Sequence, residues 1–208
     1  MTTHPAPPDI RFGYHGSKLI ATRIIEAAGY DPAVGFVLSE YDIADPFRML
    51  RDGEQDVMIA KFALDEPDLA CGPVLLSEDR AIVVRADHPL AGRGSVSIED
   101  VADYACFERP GTMPAYVWDE VVPPTTPSGR VLKRVHQVET VPQMMALVAT
   151  TDAVHVSLAS LTDLAPSQIR IVPIHDLAPA PVVLAWRRDL AAEHVRAFLA
   201  ATEKAAAR

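Results

Sequence analysis

The sequence predicts an α/β fold with a largely parallel sheet. Short apolar runs at 10–13, 34–38 and 57–60 alternate with stretches whose apolar residues recur at helical spacing. Strands and helices that alternate in this way form βαβ units, in which helices cover a parallel sheet. The chain has 208 residues, 49% hydrophobic and 23% charged, which suits one large or two small globular domains.

The first part of the chain contains two predicted βα units. Gly16 and Ser17 open a helix after the first strand, and Gly29 ends it. Asp45 and Pro46 are typical of the N-cap and first turn of the next helix. Up to residue 85 we predict a single sheet with strands at 10–13, 34–38, 57–60, 72–76 and 81–85.

The alternation continues after a turn at 86–92. Ser97 begins a short helix and is followed three residues later by the carboxylate of Asp100, as in a capping box. Thr140 and Gln143 form a T-x-x-Q capping box at the start of the clearest helix. The other predicted strands lie at 105–107, 131–135, 153–156, 169–174 and 182–186, with helices at 114–121 and at the C-terminus.

Composition excludes several classes of protein. The formal net charge is −9, which argues against nucleic-acid binding because that binding depends on neutralising phosphates. The N-terminal residues resemble no signal peptide, and no apolar run approaches the roughly 20 residues of a membrane span. Cys71 and Cys106 stand far apart without a C-x-x-C pair, as expected for reduced core thiols. We therefore expect a cytoplasmic protein with no metal and no contact with membrane or nucleic acid.

Known catalytic signatures are also absent from the sequence. It contains no G-x-S-x-G, H-E-x-x-H or G-x-G-x-x-G motif, and the turn at 16–18 lacks the spacing of a phosphate-binding loop. We therefore expect no cofactor.

Several stretches, taken together, resemble the effector-binding domain of LysR-type transcriptional regulators. They are residues 51–59 (RDGEQDVMI), 81–91 (AIVVRADHPLA), 97–103 (SIEDVAD), 138–149 (VETVPQMMALVA) and 183–189 (VLAWRRD). The resemblance covers nearly the whole chain in the family's order. It implies two Rossmann-like lobes of the type-2 periplasmic-binding-protein fold, with a ligand cleft between them.

The resemblance implies that lobe one spans 9–84 plus 181–208 and that lobe two spans 85–180. Family members begin with a winged helix-turn-helix and a linker helix, whereas only nine residues precede the first strand here. We expect no DNA-binding domain in this chain. A stand-alone effector domain is favoured over a piece of a longer regulator, and a side-by-side homodimer is possible for either.

In lobe one, the first strand-to-helix turn is the main candidate ligand site. Free N–H groups and a helix dipole attract a carboxylate or phosphate there. The resemblance implies that Ser17 contacts the effector; the alternative is that Ser17 only caps its helix. His15 and Lys18 flank it, and His15 has the chemistry of an anion donor or a base. Lys61 follows the third strand and faces either the cleft or water.

In lobe two, Arg109 and Thr112 follow a strand where family members gather ligand contacts. Arg109 is the best candidate for a bidentate carboxylate partner. Glu139 is a cleft carboxylate or a solvated surface acid, and Thr140 is a ligand contact or mainly a helix cap.

Two polar residues replace apolar positions that the family favours in the predicted strand at 153–156 and just after it. His155 and Ser157 need partners if they are buried. They are either paired structurally or recruited to a ligand or a reaction. In the second case His155 joins His15 and Glu139 as candidate catalytic residues, and His136 belongs to the same candidate acid/base set.

Three functions remain open. The first is an effector domain that closes on a small, carboxylate-bearing organic acid and shifts between open and closed populations. The second is a cofactor-independent cyclase or isomerase that reuses the cleft with acid/base groups. The third is an interaction partner that pairs with full-length regulators through the family's dimer face.

Overall fold

The computed structural model describes residues 9–62 and 64–207. The strands are β1 (Ile10–Tyr14), β2 (Phe36–Glu40), β3 (Val57–Lys61), β4 (Leu69–Cys71), β5 (Leu76–Glu78), β6 (Arg80–Arg85), β7 (Ala105–Phe107), β8 (Lys133–His136), β9 (His155–Leu158), β10 (Ile169–Pro173) and β11 (Ala180–Arg187). The helices are α1 (Lys18–Ala27), α2 (Arg48–Arg51), α3 (Ile98–Val101), α4 (Ala115–Val121), α5 (Val141–Thr150) and α6 (Glu193–Ala206), with a 3-10 helix at Ala159–Asp163. This element order confirms the predicted α/β class.

The first of two compact units contains residues 9–41, 47–76 and 182–207. Its sheet has the order β2-β1-β3-β11-β4, and β5 pairs with β11. Strand β1 runs parallel to β2 and β3, whereas β11 is antiparallel to β3 and β4. The main core joins β1 to α1 and α6, where the Phe12 and Phe198 rings meet edge to face at 6.0 Å. The three parallel strands therefore end at one edge of this sheet.

The second unit contains residues 42–46 and 77–181. Its larger sheet, β10-β6-β9, is antiparallel, and β7 and β8 form a separate parallel pair. The prediction of one sheet up to residue 85 is wrong, because β6 pairs with β9 and β10 rather than with the first sheet. The prediction of largely parallel pairing holds only for β1 with its neighbours and for β7 with β8.

The two units have different limits from the predicted lobes. The expected boundary after residue 84 left β6 in lobe one, whereas β6 belongs to the second unit together with its pairing partners. Residues 42–46 also belong to the second unit, although both flanking segments belong to the first.

Strand β2 begins two residues later than its apolar pattern predicts. Val34 donates its N–H to the Asp31 carbonyl at 3.0 Å, and Gly35 has a φ of +75°, so both lie in the turn before the strand. Pairing with β1 starts at Phe36 and continues to Glu40. The carboxyl end of β2 is therefore Glu40, which the predicted strand 34–38 did not include.

Asp45 is not the N-cap of α2, which corrects the prediction. The helix is preceded by Phe47, whereas the Asp45 N–H donates to the Asp42 carbonyl at 3.2 Å. The Asp42 carboxylate in turn accepts the Ala44 N–H at 2.9 Å. The Asp-Pro pair thus closes a side-chain-supported turn rather than starting a helix.

Three other predicted strands are displaced. Residues 72–75 connect β4 to β5 instead of forming a strand, and they include Pro73, which has no N–H to donate to a sheet. The strands predicted at 131–135 and 153–156 begin two residues later, at Lys133 and His155.

The capping box predicted at Ser97 is confirmed, and the box predicted at Thr140 is confirmed in its first bond. Ser97 Oγ accepts the Glu99 N–H at 3.0 Å, and Asp100 returns a carboxylate to the Ser97 N–H at 3.0 Å. Thr140 Oγ1 accepts the Gln143 N–H at 3.3 Å. The Gln143 side chain accepts the N–H of Glu139, one residue before the N-cap, at 3.0 Å, so this second bond differs from the return bond of a capping box.

Replacement of Thr140 tests the hydrogen bond from the Gln143 N–H to the Thr140 hydroxyl. We expect Thr140→Ala to lower the free energy of unfolding by about 1 kcal/mol, because the Gln143 N–H loses its acceptor. Thr140→Ser keeps the hydroxyl and should remain close to the original stability in urea titrations. Equal losses in both variants would contradict a capping role.

Candidate ligand-binding site

In the first unit, the carboxyl ends of three parallel strands define the candidate site. Strands β1, β2 and β3 end at Tyr14, Glu40 and Lys61. Loops at the carboxyl ends of parallel strands are where α/β proteins bind their ligands. The predicted residues that this edge carries are His15, Ser17, Lys18 and Lys61.

The N–H at the turn between β1 and α1 already holds a carboxylate. Glu40 Oε1 accepts the Gly16 N–H at 3.0 Å and lies 3.7 Å from His15 Nδ1. His15 Nδ1 is also 3.2 Å from the carbonyl oxygen of Tyr41, and the two rings lie 5.6 Å apart. Gly16 has a φ of +75°, the left-handed conformation that glycine adopts readily. The turn therefore has the geometry to bind a carboxylate oxygen.

The negative charge of Glu40 extends to the neighbouring tyrosine. Burial, together with the charge of Glu40, raises the pKa of the Tyr14 phenol. The Glu40 side chain is half exposed and the His15 side chain largely buried. A ligand at this edge would therefore meet a solvent-accessible carboxylate beside a sheltered imidazole.

Ser17 is buried and holds the N-cap position of α1. Its side chain forms no capping hydrogen bond with the helix, so the alternative of a pure cap finds no support. Lys18 is exposed at the first position of α1. Lys61 is half-buried at the end of β3, opposite Val182 of β11.

In the second unit, the loop after β7 is held by hydrogen bonds of its own. Arg109 Nη1 donates to the Met113 carbonyl at 2.6 Å. Thr112 donates both its N–H and its hydroxyl to the Ala44 carbonyl, at 2.6 and 3.1 Å. A Cβ on Gly111 would lie 2.4 Å from the same carbonyl oxygen, so only glycine allows this approach. The loop is thereby fixed against residues 42–46 of the same unit.

Glu139 and Thr140 stand at the start of α5 in the same unit. The Glu139 side chain is exposed, and the Thr140 hydroxyl serves as the helix cap described above. The capping part of the Thr140 prediction is confirmed, and its contact with a ligand stays a prediction.

His155 packs within a group of aromatic rings. Its ring centre lies 5.0 Å from that of Phe107 and 6.2 Å from that of Trp118, to which it is nearly parallel. Phe107 also contacts His136, with ring centres 5.6 Å apart. Trp118 is buried. Ser157 lies half-buried opposite Ala81 of β6. This packing favours the structural interpretation of His155.

The three candidate catalytic residues, His15, His155 and Glu139, do not belong to one unit. His15 belongs to the first unit, whereas the other two catalytic candidates belong to the second. The acid/base set of the enzyme hypothesis stays a prediction.

An open depression of about 310 Å³ lies on the second unit, beside residues 149–152. Arg85 lines it and forms ion pairs with Asp87 and with Asp152, the latter at 2.7 Å. Because Arg85 is already paired with both carboxylates and no predicted site residue lines the depression, we do not assign a ligand to it.

Over the described part of the chain, no group of His, Cys, Asp and Glu side chains is placed to bind a metal ion. Nor is any helix in that part both long enough and apolar enough to cross a bilayer.

The fold is the periplasmic-binding-protein-like type-2 fold of ligand-binding domains. The LysR substrate binding domain matches residues 16–207, and the chain belongs to that family. The resemblance drawn from the sequence motifs is thus confirmed. Curated protein sequences give no match.

Solved structures of LysR-type proteins share the fold. Full-length CbnR in complex with its target DNA has a TM-score of 0.75 and 16% identity, covering 96% of this chain and 71% of CbnR. The effector-binding domain of BenM with its effector benzoate has a TM-score of 0.70 and 21% identity, covering 96% and 92%. The effector-binding domain of QuiR with shikimate has a TM-score of 0.70 and 16% identity, covering 96% and 97%.

Proposed function

We propose that this chain is an effector-binding domain that takes up a small organic acid. The acid's carboxylate binds at the turn between β1 and α1, where it accepts the Gly16 N–H beside His15 and Ser17. Ligand contacts then favour one conformational population of the domain over another.

The observation that carries the proposal is the position of the Glu40 carboxylate. Its Oε1 accepts the Gly16 N–H at 3.0 Å, next to His15 Nδ1 at 3.7 Å. A ligand carboxylate has the same acceptor atoms and therefore fits the same donor. The named effectors of BenM and QuiR, benzoate and shikimate, are both carboxylates.

We propose that Arg109, Thr112, Glu139, Thr140 and Ser157 of the second unit contribute further ligand contacts, with Lys18 and Lys61 of the first. A guanidinium has five N–H donors, so the Arg109 bond to Met113 leaves others for an acid. The cytoplasmic location, the homodimer and the stand-alone state stay predictions.

Thermal melting with small acids tests the proposal. The panel contains benzoate, shikimate and other mono- and dicarboxylic, hydroxy and amino acids at millimolar concentration. A ligand at about 100 times its Kd adds about 2.7 kcal/mol of stability, or roughly 5–10 °C in Tm for a chain of this length. We expect at least one acid to produce such a shift.

Single substitutions locate the binding site. Ser17→Ala and His15→Ala should abolish the shift, and Arg109→Gln should reduce it. Ser167→Ala, at an exposed serine of the second unit, is the matched control and should leave it unchanged. Absence of any shift across the panel, or equal shifts in all variants, would contradict the proposal.

The same incubations distinguish binding from turnover. We expect each stabilising acid to keep its mass. A product of new mass that His155→Ala or His15→Ala eliminates would replace the binding function with the cyclase or isomerase hypothesis.

A further inference from the structure

We infer that Glu40 acts as a specificity residue that favours acids carrying a hydrogen-bond donor or a cation next to the carboxylate. This inference rests on the proposed function, because it concerns the acid that binds at the turn between β1 and α1. The acids in question are α-hydroxy acids and α-amino acids.

Glu40 and an incoming ligand carboxylate compete for the same hydrogen-bond donor, the Gly16 N–H. Glu40 Oε1 occupies the Gly16 N–H, so an incoming carboxylate has to displace it. Glu40 is held by this backbone donor and by a histidine, whereas Asp56 is held by hydrogen bonds from the Arg11 backbone and guanidinium. The Glu40 side chain is also half exposed, so it can turn towards water without unpacking a core.

After displacement, the Glu40 carboxylate stays close to the bound acid. Its backbone stays opposite Tyr14 in the β1–β2 pairing, so the displaced carboxylate remains next to the ligand. Two neighbouring carboxylates repel each other, which weakens the binding of an acid that has no other polar group. A hydroxyl or ammonium next to the ligand's carboxylate donates to Glu40 and turns this repulsion into attraction.

The sheet positions Glu40 for this role. Five consecutive residue pairs join β1 to β2, from Ile10 with Phe36 to Tyr14 with Glu40. The charge of Glu40 already acts on the adjacent phenol, since it contributes with burial to the raised pKa of Tyr14. A group bound at this turn is therefore exposed to the same negative charge.

The test compares three acids that differ in one substituent: 3-phenylpropionate, 3-phenyllactate and phenylalanine. We expect the original protein to bind phenyllactate and phenylalanine at least about tenfold more tightly than phenylpropionate, as a charge-assisted hydrogen bond implies. In Glu40→Gln, phenylpropionate should bind about tenfold more tightly than before, and the preference for phenylalanine should disappear. Titration calorimetry measures all six affinities.

Glu26→Gln is the matched control, because it removes the same charge from an exposed position near the end of α1. It should leave the order of the three acids unchanged. If the acids bind but Glu40→Gln keeps the original order, the inference about Glu40 is wrong and the proposed function stands. If none of the acids binds to either protein and the wider panel also fails, the proposed carboxylate site is wrong, and the inference fails with it.

Discussion

Gly13→Ala is expected to destabilise the protein by about 3 kcal/mol, because the new methyl group has no space. An added Cβ would lie 2.2 Å from Gln55 Oε1 and 2.5 Å from its Cδ. Gln55 is almost completely buried, and its amide donates to Ser39 Oγ at 2.9 Å, so it cannot move without losing this bond. Melting experiments should show a decrease of roughly 6–12 °C.

Two further variants separate this clash from other effects. Gly92→Ala introduces the same methyl group where no atom lies within 4 Å, and it should change stability little. Gly13→Ala combined with Gln55→Ala should lose less than the sum of the two single variants, because the clash is removed. Unchanged stability of Gly13→Ala would show that β1 and Gln55 do not approach this closely.

Cys106 is expected to react about a thousandfold more slowly than a thiol with the ordinary pKa. Burial raises the pKa of the Cys106 thiol to about 12, from an ordinary value of 9.0, and the charges of Arg134 and Lys133 offset this only in part. Cys71 is exposed, whereas Cys106 is fully buried in β7. Only the thiolate attacks a disulfide reagent. At mildly alkaline pH, an aromatic disulfide that releases a coloured thiolate should therefore modify Cys71 quickly and Cys106 slowly, as followed by absorbance.

Cys71→Ser should remove the fast phase and leave the slow one. Denaturant should make both thiols react at similar rates, because burial in the folded protein is what raises the pKa of Cys106. Two fast phases in the folded protein would indicate that β7 opens readily and that the aromatic group beside it is not a stable core.

Features set by neighbouring residues could be predicted from the sequence. The capping box at Ser97 and the side-chain cap at Thr140 depend on residues within one helical turn, and both form as predicted. The family motifs likewise indicated the correct fold. Pairing partners of strands lie far apart in the sequence, which is why the placement of β6 in the first sheet was wrong.

The sequence predicted His15 and Ser17 in the candidate site but missed Glu40, because the limits of β2 were misplaced. The apolar run begins at Val34, which is exposed in the turn, and ends at Leu38 before the polar Ser39 and Glu40, so the predicted strand started too early and stopped before Glu40. With the observed limits, Glu40 lies at the carboxyl end of β2 beside the predicted His15 and Ser17. The partners of His155 could not be predicted either, because Phe107 and Trp118 come from distant elements.

Neither compact unit is encoded by one continuous stretch of the chain. The polypeptide passes from one unit to the other after residues 41, 46, 76 and 181. A single protease cut at any of these points therefore leaves both units covalently connected through the remaining passages. A gene fragment that lacks either end of residues 9–207 would encode only part of the first unit, so the whole domain is the smallest piece that we expect to fold and bind.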